Sequence, residues 1–128
     1  MSEMSNFLEN ALINATLRAT TYTSVATVYV SLWTSDPTDA GSGTEVSGGS
    51  YARTAVTFAA PSNGVTTNSA DVTFPTATAS WGVVGWIGIN DAASSGNLLY
   101  QSPLDTSKTI DSGDIFKIST GNLSVTLA

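Results

Sequence analysis

Three carboxylates, Asp36, Asp39 and Glu45, fall within one polar stretch and are the first residues whose type and spacing suggest chemistry. An oxygen-rich loop of this kind suits a hard cation such as calcium, yet the EF-hand spacing is missing and no second acidic pair stands close by. Asp111 and Asp114 flank Ser112-Gly113, where Asp is an ordinary turn former. Glycoside hydrolysis needs two carboxyls in contrasting environments, and no apolar pocket can be assigned to any of the ten acidic residues. The glycines at 41, 43, 48 and 49 precede no Lys-Ser/Thr pair, so there is no phosphate-cradling loop. With no histidine and no cysteine, zinc and haem ligation, Ser-His and Cys-His nucleophiles and disulfides drop out together. The expectation is no catalytic residue, no metal and no cofactor.

Aromatic side chains are the remaining candidates. Trp33, Tyr51, Trp81, Trp86 and Tyr100 can build a sugar-stacking platform, or can fill a β core. Trp33 stands apart, because it opposes the Val28/Val30/Leu32 face of its segment and leads directly into the polar stretch. It is the first choice for an inter-subunit anchor.

The elements that must position these residues are mostly strands. Ser and Thr supply 37 of the 128 residues, against five Lys and Glu, and branched Thr suits a half-buried pleated surface. One helix is expected over residues 5–18, with Ser5 as N-cap and Phe7, Leu8, Ala11, Leu12 and Ala15 at helical spacing. It packs over its own domain or docks on a neighbouring subunit. Period-two alternation marks strands at 26–34, 51–58, 70–74, 80–90 and 97–102. A segment near Thr109 and Ile110 and strands at 115–119 and 123–127 complete the set. Glycines in the 80–90 strand suggest a bulge, or close approach by another backbone or by the indoles of Trp81 and Trp86. The long loop 35–50 is of a length that is usually functional or mobile, and Pro61-Ser62-Asn63-Gly64 signals a turn. The length fits one domain over residues 1–128: all-β, an antiparallel β-sandwich or jelly-roll-like fold with one N-terminal α-helix.

Charge and hydropathy remove further classes. Four basic against ten acidic residues give net −6 and a pI near 4.1, with no basic stripe for nucleic acid or an anionic membrane. No apolar run approaches the ~18 residues of a membrane span, and the N-terminus lacks the basic region of a signal peptide. Synthesis and use, or assembly, in a cytoplasm is expected. The two Asn-X-Ser/Thr matches at Asn14 and Asn122 are then chance.

The string Thr44-Glu45-Val46-Ser47-Gly48-Gly49-Ser50-Tyr51-Ala52-Arg53 resembles a family of small virion proteins of tailed bacteriophages and prophages, labelled tail fibre or capsid decoration proteins. Residues 30–37, 68–77 and 80–82, and the closing stretch from Gly96 to Leu127, are similar to the same family. The strand around Val84-Gly85-Trp86-Ile87 is more apolar than the family pattern. These strings carry turns and strands rather than catalytic groups, so the resemblance implies a virion structural role without catalysis. Tyr51 and Arg53 close the first string and join Trp33, Phe7, Leu8 and Leu12 as candidate interface residues. Size and acidity favour a decoration (cement) protein on the outer capsid surface. Its expected partners are the major capsid protein and further copies of itself, most simply as a homotrimer. A tail or fibre component contacting a host receptor is the alternative, and a carbohydrate-binding module a further one.

Overall fold

The computed structural model describes residues 3–127; residues 1, 2 and 128, which the sequence reading includes in the domain, lie outside the described residues. One helix, α1 (Asn6–Leu17), sits between the first two of nine strands. The strands are β1 (Glu3–Met4), β2 (Val28–Trp33), β3 (Thr54–Val56), β4 (Val65–Thr67), β5 (Val72–Thr73), β6 (Gly82–Asn90), β7 (Leu98–Ile110), β8 (Lys117–Ile118) and β9 (Ser124–Thr126). The protein is an all-β domain with an N-terminal helix, and every pairing is antiparallel.

Ser5 starts the helix as its sequence position suggests. Its hydroxyl accepts the Leu8 N–H, satisfying one of the unpaired donors of the first turn. At the other end Ala19 takes a left-handed conformation, φ 54°, and Thr20 N–H reaches back to the Asn14 carbonyl. Ser5 also pins the helix to the sheet, its N–H and hydroxyl donating to the carbonyls of Leu99 and Leu98.

The main layer is a five-stranded sheet in the order β1-β7-β6-β2-β3; β4 with β9 and β5 with β8 form two separate ribbons. One face of the sheet meets the β5–β8 side across the core, where Val30, Leu32, Val84 and Ile87 pack with Val72, Phe74 and Phe116. Aromatic rings tie this core together. Tyr51 meets Trp81 edge-on at 5.4 Å between centroids, and Phe74 meets Phe116 the same way at 5.6 Å. Asn68, buried at 1%, joins the two ribbons. Its amide donates to Ala70 and Ser119 carbonyls, and its Oδ1 accepts from Leu123 N–H.

Three local expectations are corrected. The strand beginning near residue 97 does not stop at Pro103 but runs on to Ile110. Among the described residues β1 pairs only with Tyr100 and Gln101, so no described strand on that side needs the N–H that Pro103 lacks. In β6, strict alternation puts Val84 and Ile87 on opposite faces, yet both are buried in the core. The change of face coincides with a shift in register: Trp86 pairs with Pro103 and Val84 with Lys108, so β7 carries the extra residues 104–107 opposite Gly85 alone. The strand expected over 51–58 shortens to β3, and β4, which was not expected, follows the turn at Asn63 and Gly64, whose φ values are 53° and 77°.

Loop 35–50 is a folded cover. Pro37 is fully buried and its carbonyl accepts the Ser42 N–H, while Asp36 Oδ1 accepts the Thr38 N–H. Thr34 N–H donates to Thr44 and Val46 N–H to Leu32, so residues 44–46 extend the sheet past the end of β3.

Candidate functional site

Trp33 ends β2 on the face opposite the core, as its spacing suggests. It is only 5% exposed within its own chain. Its indole N–H donates to Ser31 Oγ at 2.8 Å, and Ser31 Oγ donates to Asn90 Oδ1 at 2.7 Å. Gly88 makes the space: a Cβ there would lie 2.9 Å from the indole nitrogen and 2.7 Å from Ser31 Oγ. The pairing with β7 shifts register at Gly85, and an indole does approach at Gly88, but it is neither of the two expected there, Trp81 or Trp86. That indole belongs to Trp33, whereas Trp81 presses on Gly49 and donates to its carbonyl.

Tyr51 and Arg53 meet Glu45, the middle of the polar stretch. Arg53 holds the carboxylate bidentately, Nε to Oε2 and Nη2 to Oε1, both at 2.9 Å. Its Nη1 donates to the carbonyls of Ala92 and Ser95 in the β6–β7 loop. Tyr51 donates its hydroxyl to Glu45 Oε2 at 2.6 Å and accepts the Leu32 N–H, which has no strand partner between β3 and residues 44–46. Burial, followed by the Glu45 hydrogen bond, pushes the Tyr51 hydroxyl well above its ordinary pKa. The Glu45 hydrogen bonds raise Arg53 against the opposing effect of burial. Together the three side chains latch loop 35–50 and the β6–β7 loop to the sheet.

The carboxylates that suggested a cation are dispersed into such roles. Asp36 caps Thr38; Asp39 accepts the Gln101 amide through Oδ1, while its carbonyl takes the Asn6 N–H. Among the described residues no group of three or more His, Cys, Asp or Glu is placed to hold a metal ion. No described helix is long and apolar enough to cross a membrane. Asp71 is lowered in pKa by the N–H and hydroxyl of Thr120 and by Lys117, all at the surface.

The helix residues divide. Leu8 is buried against the domain, Leu12 is half-buried, and Phe7, one residue and about 100° away, is exposed. The outward side instead carries Ile13 and Leu17, which were not singled out. A groove was also missed. It opens between β7 and the segment 118–125, about 260 Å³ in volume, floored by Ile87 and Ile89 and walled by Leu104, Leu123 and Val125, with Asp105 among its lining residues. The period-two faces of β6 and β7 were readable, but their distance from β9 was not.

These surfaces hold turns, latches and apolar faces, with no array of reactive groups among the described residues. Comparison with curated proteins finds no match. A family model described as podophage GP4 fiber I protein gp80 matches residues 3–126, and the chain belongs to that family of phage structural proteins, components of the virion.

Proposed function

We propose that the chain is a non-catalytic knob on the exterior of the phage particle, self-associated and seated in the fibre assembly. The extent of the family match carries this reading, since residues 3–126 take in the helix and all nine strands. The hydrogen bonding supports the non-catalytic part. Glu45 is held by Arg53 and Tyr51, Asp91 by Asn97, Asp114 by the Asp111 N–H and Asp71 by Thr120. Without His or Cys, carboxylates are the natural acid–base groups, and these hold loops in place.

Capsid decoration is the second reading, with the major capsid protein as partner. A compact chain without a shaft or heptads, net −6 and so repelled by packaged DNA, suits the outside of a shell. Cryo-EM of intact particles carrying an epitope-tagged copy, labelled with antibody, separates the two. Label confined to the tail vertex is the expected result. Label over the whole head would replace the fibre placement with decoration, and unlabelled particles containing no copy would overturn both.

A further inference from the structure

Two apolar features of this chain stand without a partner, and their chemistry matches. α1 has one charged residue in twelve, Glu9, and leaves Ile13 and Leu17 exposed at 52% and 79%. The solvent face of an amphipathic helix is ordinarily charged, so this face is suited to being covered. Arg18 follows Leu17 directly and is the only charged residue between Glu9 and Asp36. The groove between β7 and β9 offers a converse surface of mixed character: Ile87, Ile89, Leu104 and Leu123 make an apolar base with room for a branched side chain, polar groups such as Asn122 line the rest, and Asp105 is among the lining residues.

We propose that α1 of one copy docks in this groove of the next, with Leu17 entering between β7 and β9 and Arg18 pairing with Asp105. The proposal rests on the reading that the chain self-associates. Charge selects a second copy as the occupant. Two chains of net −6 repel, so their contact must set a cation against a carboxylate, and Arg18 beside Leu17 with Asp105 beside the groove supplies both halves on one chain. Arg18 and Asp105 are exposed, and neither has an ion-pair partner among the described residues. The contact joins two different surfaces, so it repeats around a closed ring or along an open row.

Sedimentation velocity over a concentration series of the purified chain tests this. Leu17→Asp, at a site too exposed to endanger the fold, is expected to weaken self-association about a hundredfold. Arg18→Glu and Asp105→Arg are each expected to weaken it roughly tenfold, and the double exchange to restore it. Mixing Leu17→Asp with Asp105→Arg is the decisive arm. The first retains an intact groove and the second an intact helix, so they should form one-to-one pairs that do not grow. An associated wild type with Asp105→Arg unaffected would overturn this contact alone, leaving helix-to-helix pairing. A monomeric wild type at ~1 mM would overturn self-association itself.

Discussion

Replacing Arg53 with alanine is expected to cost about 3 kcal/mol of folding stability. Its side chain is 11% exposed and that of Glu45 22%, so the pair is largely shielded from water. Removing one partner of a buried pair costs about 3–5 kcal/mol, mostly from the charge left behind. Glu45 keeps the Tyr51 hydroxyl and some contact with water, which places the loss at the low end. The Ala92 and Ser95 carbonyls lie near the surface and can turn to solvent. Against a total of about 5–15 kcal/mol this is a large fraction, worth a fall in Tm on the order of 10 °C. Urea unfolding measures the loss, and hydrogen exchange should show amides at 44–46 and 92–97 opening before the core. Adding Glu45→Gln to the Arg53→Ala variant should recover about 1 kcal/mol by removing the stranded charge. A loss below about 1 kcal/mol, or further destabilisation by Glu45→Gln, would refute the latch and leave an ordinary surface pair.

Tyr51 has a raised pKa in the folded state, so its contribution is complete below its ordinary value near 10 and is lost as pH rises beyond it. Stability should fall there by about 1.4 kcal/mol per pH unit, and Tyr51→Phe should flatten that slope; an identical slope would contradict the assignment. Trp33→Ala should cost about 3–5 kcal/mol in thermal or urea unfolding, because a buried indole is removed. Unchanged stability with impaired self-association would instead make Trp33 an inter-subunit anchor. Asn68→Ala should cost about 2–4 kcal/mol, since three backbone groups lose their partner at once, and a change under about 0.5 kcal/mol would mean water replaces the amide freely.

What the sequence disclosed is what neighbouring residues determine. Ser5 as N-cap, the alternation of Val28–Trp33 and the turn at Asn63-Gly64 depend on contacts within a few positions. The register shift opposite Gly85 depends on the path of β7, and the continuation through Pro103 depends on how far along β7 the described residues of β1 reach. Large residues on both faces of β2 were legible, but what covers the second face was not. Trp33 finds its room beside Gly88 of the neighbouring strand, which nothing near Trp33 in sequence announces. Glu45, Tyr51 and Arg53 fall within one family string, yet their union requires the loop to fold back on the sheet. The helical period was correct, while the side turned inward was settled by the pinning of Ser5, 93 residues away from its partner.

That separation also sets a schedule for synthesis. Ser5 anchors α1 to Leu98 and Leu99, β1 pairs with β7, and β2 lies between β6 and β3. At about 5–20 residues per second, a nascent chain holds α1 without its partners for on the order of 5–20 s. The sheet closes only after its most C-terminal strand has cleared the ribosome, so folding is a late, long-range event and correspondingly slow. Throughout that interval Ile13 and Leu17 are on display before any groove exists on the same chain. A ribosome stalled before residue 98 therefore carries a helix whose inward residue Leu8 and outward residues Ile13 and Leu17 are uncovered alike.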